Sequence, residues 1–158
     1  MAARARVDVS LVSYYFGSKT NLFSEAIDVP TKPADLVERA LSAPREKLGE
    51  EIVRVMLTAW NDPDLTTAMR GIVQVKVTNQ DNWAGLSEFY RDEILGPIAS
   101  ALGGDEAEYR AAMAVAPVIG LVAVRYLVGV PSVRDAAVED LVISVGAQVQ
   151  RWLTGPLD

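Results

Sequence analysis

The chain has 158 residues, half of them hydrophobic and 23% charged, with a formal net charge of −6, no histidine and no cysteine. That balance is globular, long enough for one ordinary core, and excludes a disordered chain or a disulfide-stapled scaffold. The acidity excludes a general nucleic-acid coat, and without His or Cys the common triads, thiol nucleophiles and zinc sites fall away. No basic start followed by an apolar segment and a cleavage site opens the sequence, so a cytoplasmic protein is expected. Charge is uneven. Residues 1–32 carry four basic groups (Arg4, Arg6, Lys19, Lys32) against three acidic ones (Asp8, Glu25, Asp28), a net of +1. Residues 33–158 carry a net of −7, so only the head is suited to phosphates.

In chain order, residues 2–7 read as the tail of a helix and 9–16 as a second short helix with Val12 and Phe16 on one face. Gly17 lets the chain turn, Ser18 caps, and a third helix runs from Lys19 to about Ile27. Two helices joined by a short turn, followed by a brace, are the layout of a helix-turn-helix, whose second helix enters the DNA major groove. The stretch DVPTKP at 28–33 breaks the chain. The pattern therefore divides into a head at 1–30, a partial helix-turn-helix, and a body at 31–158.

In the body a short helix is expected at 34–42, with Leu36, Val37, Ala40 and Leu41 inward. An amphipathic helix follows at 45–60, with Leu48, Ile52, Val55, Met56, Ala59 and Trp60 at helical spacing. NDPD turns the chain into a helix at 65–78, and another spans about 83–101, with a kink expected at Gly96-Pro97. The long apolar helix at 105–129 and the last helix at 133–153 complete an all-α body. Residues 111–130 approach the length of a membrane span, yet Arg125 lies among them. A charge there costs roughly 2.5–3.5 kcal/mol near the bilayer centre, so a helix buried on all sides by protein is preferred and no membrane partner is expected. Arg125 needs a partner if buried: a carboxylate in a salt bridge is favoured over a subunit interface or an acidic ligand. Asp105, Glu106 and Glu108 suit a helix start and need no catalytic purpose, and Gly103-Gly104 is a helix stop rather than a phosphate loop. No enzyme and no cofactor are expected.

The head resembles the TetR family of bacterial repressors. Ala5, Val7, Asp8, Val12, Tyr15, Phe16, Ser18, Lys19, Leu22 and Phe23 stand at the family's signature positions. PADLVERAL at 33–41 and EILGPIASALGG at 93–104 are similar to actinobacterial-type C-terminal domains of the family. Two departures stand out. Arg6 replaces the turn glycine, at a cost on the order of 1 kcal/mol if its φ is positive. The family's first helix and most of its second have no counterpart after Met1. The resemblance implies a ligand-responsive regulator, a repressor, that binds operator DNA as a homodimer through the helices at about 105–129 and 133–153. The alternative is a helical homodimer that binds a small apolar ligand and has lost DNA binding through N-terminal truncation. By position, Val9, Ser10, Leu11 and Ser13 would face bases, while Tyr15, Lys19 and, if it does not simply pack, Tyr14 would hold phosphates. The effector would be an unknown small apolar molecule, with Met56, Trp60, Met69, Val73, Trp83, Phe89, Tyr109 and Met113 as candidate contacts that double as ordinary core. Val145→Glu is expected to give a monomer.

Overall fold

The structure, a computed structural model, describes residues 32–67 and 83–157, without the side chains of residues 83–86. The expected head and most of the helix expected at 65–78 lie outside the described residues. Helix α1 spans Pro33–Leu41. Pro33 suits a first turn because its missing N–H has no helical partner there, and Asp35 and Arg39 lie at the ends the macrodipole favours. Ala40 is buried, with Leu36, Val37 and Leu41 packed on the core. The helix stops at Ser42, whose Oγ donates to the Arg39 carbonyl at 2.7 Å.

A tight turn at Arg45–Lys47 leads into α2, Leu48–Trp60. The expected stripe is inward or half-buried, and Val53 and Leu57 are fully buried as well. The reason is that α2 is covered on more than one side: α1, the long apolar helix and the last helix all pack against it. Asp62 Oδ1 then accepts from Asp64 N at 2.8 Å and Leu65 N at 3.3 Å, so Asp62 caps a helix that begins at Pro63, two residues earlier than expected.

Helix α3, Trp83–Tyr90, runs through a widened π turn at Arg91–Leu95 into α4, Gly96–Leu102. Gly96 N donates to the Arg91 carbonyl, five residues back. The expected Gly-Pro kink is therefore a π turn: Pro97 has no N–H to continue the ordinary ladder, and inserting one residue per turn accommodates the gap. A Cβ on Gly96 would lie 3.0 Å from that carbonyl. Gly103 and Gly104, at φ 67° and 87°, end the helix in the left-handed region.

Helix α5, Ala107–Val122, continues as a second π turn at Ala123–Val128 and stops at Gly129, φ 73°. The short α6, Pro131–Arg134, and α7, Val138–Thr154, replace the single helix expected at 133–153. The expected α7 stripe faces in: Val142, Val149 and Leu153 are buried, and Val138, Leu141, Val145 and Trp152 pack on the core.

Helix α7 crosses α2 with backbones nearly touching. A Cβ on Gly146 would lie 2.8 Å from Glu50 Cα. At the same crossing Gly49 N, one of the unpaired N–H groups of a helix start, donates to Gln150 Oε1 at 2.8 Å, and Gln150 Nε2 donates to the Arg45 carbonyl at 3.0 Å. Arg54 forms a two-pronged pair with Glu139, its Nη2 2.8 Å from Oε1, across the exposed side of the same two helices. At the far end of α7, Arg110 Nη1 donates to the carbonyls of Trp152 (3.1 Å) and Gly155 (2.8 Å), which pins the start of α5 to the end of α7.

Candidate functional site

The eight candidate effector contacts fall into separate places. Met69 and Val73 lie outside the described residues, and Trp83 opens α3 with its side chain outside them. Phe89 is 7% exposed, a core residue with Tyr90 edge-on to it at 6.0 Å. Met56 and Met113 are half-buried, on α2 and α5. Trp60, at the last position of α2, packs on Tyr126 with centroids 5.6 Å apart. Tyr109 is 55% exposed near the start of α5, edge-on to Trp152 at 6.3 Å. Tyr109 and Tyr126 lie on one continuous helical rod, about 25 Å apart at helical rise. Trp60, beside Tyr126, and Tyr109 therefore cannot line one small pocket. The seven candidate DNA contacts, Val9, Ser10, Leu11, Ser13, Tyr14, Tyr15 and Lys19, lie outside the described residues.

Tyr109 instead borders a cleft of about 530 Å³ between the α3–α4 rod and α5, lined by Ser87, Tyr90, Arg91, Leu95, Gly96, Glu108 and Ala112. Burial pushes the Tyr90 phenol above its usual range. Periodicity gives no sign of this cleft, because the π turn shifts Arg91 and Leu95 off the 3.6-residue face.

Tyr126 was not singled out by its sequence context, yet it ties two elements together. Its hydroxyl lies 2.9 Å from Asn61 Oδ1 and 3.2 Å from the Leu57 carbonyl, at the C-terminal end of α2. Arg125 departs from the expected salt bridge. Its Nη1 donates to the carbonyls of Val133 at 2.5 Å and Ala136 at 3.0 Å. Those two carbonyls belong to α6 and the link to α7. Holding them explains why the chain breaks at 135–137 instead of continuing as one helix. The Asp135 carboxyl beside it is held below the usual range, chiefly by its hydrogen bond with Arg134, with smaller help from the charges of Arg134 and Arg125.

The long apolar helix is not enclosed on all sides. The rod Ala107–Val128 is long and apolar enough to cross a membrane, and only 33% of its most apolar window is buried. Its outer side presents Tyr109, Ala112, Ala116, Ile119 and Gly120, all exposed. The outer side of α7 presents Asp140, Ile143, Ser144, Ala147, Gln148 and Arg151, with Ile143 57% exposed. Val145 points the other way and packs on the core, so it is a poor probe of any surface contact. Among the described residues there is no cluster of acidic side chains able to hold a metal ion.

These features define an all-α body built on two long antiparallel helices, the apolar α5 and the amphipathic α7, each with an open outer side. Residues 46–153 match the family profile of the tetracyclin repressor-like C-terminal domain, and the chain belongs to that family. It is also similar to the crystal structure of a TetR-family regulator from Streptomyces coelicolor, at 28% identity and a TM-score of 0.62, covering 96% of this chain and 79% of that one. No curated protein matches the chain.

Proposed function

We propose that this TetR-family regulator is a ligand-responsive repressor that binds operator DNA as a homodimer and works in the cytoplasm without catalysing a reaction. The observation that carries the reading is the combination of a family-matched body over residues 46–153 with a signature-bearing segment at 5–23. Residues 1–30 act as the DNA-reading head and residues 31–158 as the effector and dimer body. In the head, Val9, Ser10, Leu11 and Ser13 face base edges, and Tyr14, Tyr15 and Lys19 hold phosphates. The effector is a small, largely apolar molecule. Met56, Trp60 and Phe89, with Met69, Val73, Trp83 and Met113, are its candidate contacts, and Tyr109 is set apart from them by distance.

The open sides of α5 and α7 are assigned to a second copy of the chain rather than to lipid. Small residues such as Ala112, Ala116, Gly120 and Ala147 let helices approach closely, and the chain carries Asp140 and Arg151 on the same side. Effector binding shifts the balance between two dimer geometries, only one of which matches half-sites about one helical turn, or a multiple, apart.

A gel-shift with DNA from upstream of the chain's own operon tests the reading, using purified full chain. A retarded band that disappears with excess specific competitor is expected. No retardation at any protein concentration, with a dimer confirmed by mass, would overturn the repressor assignment and leave a ligand-binding dimer.

A further inference from the structure

The open side of α7 has an internal symmetry. At about 100° per residue, positions 140, 144, 147 and 151 fall within roughly 60° of one another and form one stripe about 16 Å long. The stripe reads acid, small, small, base: Asp140, Ser144, Ala147, Arg151, all exposed. Among the described residues neither Asp140 nor Arg151 makes an ion pair, although Glu139, one residue away, is already taken by Arg54.

We infer that α7 packs antiparallel on α7 of a second copy, about a dyad that passes between Val145 and Gly146. This rests on the dimer reading above and adds its register. In that register Asp140 faces Arg151 of the partner subunit, and the dyad repeats the pair at the other end. Ser144 faces Ala147 of the partner subunit, where short side chains allow close approach. Ile143, 57% exposed in the single chain, is covered beside the dyad. A two-fold interface must be self-complementary, and this stripe is complementary to itself only when reversed. A parallel arrangement would set like charges against each other.

Each charge also suits the helix dipole, acid in the first turn and base in the last. Charge reversal separates the two effects. If the pairs form, Asp140→Arg alone and Arg151→Asp alone each weaken the dimer on the order of tenfold, since each turns two attractions into two repulsions. The double variant recovers most of the wild-type affinity in sedimentation equilibrium. If only the dipole matters, the double variant is worse than either single one.

The absence of cysteine from the chain allows a second, independent readout. Equimolar Ser144→Cys and Ala147→Cys proteins, mixed and oxidised, should cross-link to each other faster than either does to itself. Preferential cross-linking of Ala147→Cys to Ala116→Cys, which would place α5 rather than α7 across from α7, overturns the register. A dimer indifferent to both charge reversals overturns it too, while leaving the dimer itself intact. A monomeric wild type would remove both.

Discussion

Gly146→Ala should be destabilising, although alanine is the better helix former. The added methyl would sit 2.8 Å from Glu50 Cα and 3.0 Å from Glu50 N. Both are backbone atoms, so no rotamer change relieves the clash and α7 must move away from α2. Overpacking of this kind costs about 1–3 kcal/mol. The shift also stretches the bond from Gly49 N to Gln150 Oε1, now 2.8 Å, which is worth about 1 kcal/mol. Helix propensity returns about 1 kcal/mol. The net loss is about 2 kcal/mol, which at this chain length lowers Tm by roughly 4–8 °C. Thermal unfolding followed by far-ultraviolet circular dichroism, at matched protein concentration, reads the difference. A variant as stable as the wild type, or more so, would mean that α2 and α7 do not cross at glycine distance. The placement of the whole α7 face would then be wrong.

Three further outcomes follow from the same geometry. Arg125→Ala should release the carbonyls of Val133 and Ala136 and speed amide hydrogen exchange across 131–141; unchanged exchange would mean that the link is held by other contacts. The Glu139 carboxyl is held below its usual range, first by its hydrogen bond with Arg54, so its contribution is complete above the ordinary glutamate range and lost as pH falls through the lowered value. The wild type should therefore lose stability more steeply under acid than Glu139→Gln does, and identical acid profiles would count against that pair. In the head, Lys19→Ala should weaken binding to all DNA sequences about equally, while Ser10→Ala should change sequence preference; the reverse pattern would exchange the two roles.

The spans of α1, α2 and the α5 rod were legible, as was the inward stripe of α7 though not its start, because each carries a sustained apolar stripe or a clear stop, such as Gly129 after the α5 rod. What escaped the sequence depends on distant partners. Val53 and Leu57 read as off-stripe positions, and they are buried because neighbours cover more than one side of α2. The two π turns break the 3.6-residue period on which a pattern reading relies. The break between α6 and α7 is set by Arg125 from the preceding rod, with no proline or glycine at 135–137 to announce it. The apolar run at 111–130 reads as buried on every side, yet only 33% of its most apolar window is buried, because composition alone does not say which faces of a helix find neighbours. Of the candidate residues, the signature positions of the head lie outside the described residues, and Trp60 packs on Tyr126 at the end of α2. The cleft beside Tyr90 and the anchoring role of Tyr126 were not legible in the sequence, because both are made by residues far apart in the chain.

Fluorescence anisotropy of a labelled fragment from upstream of the operon, titrated with the full chain at several salt concentrations, is the most direct test. Saturation is expected at an even number of chains per site, with an affinity that falls steeply and log-linearly with salt, as phosphate contacts require. Binding that saturates at one chain per site, or that ignores salt, would contradict a dimer holding DNA through Lys19 and its neighbours.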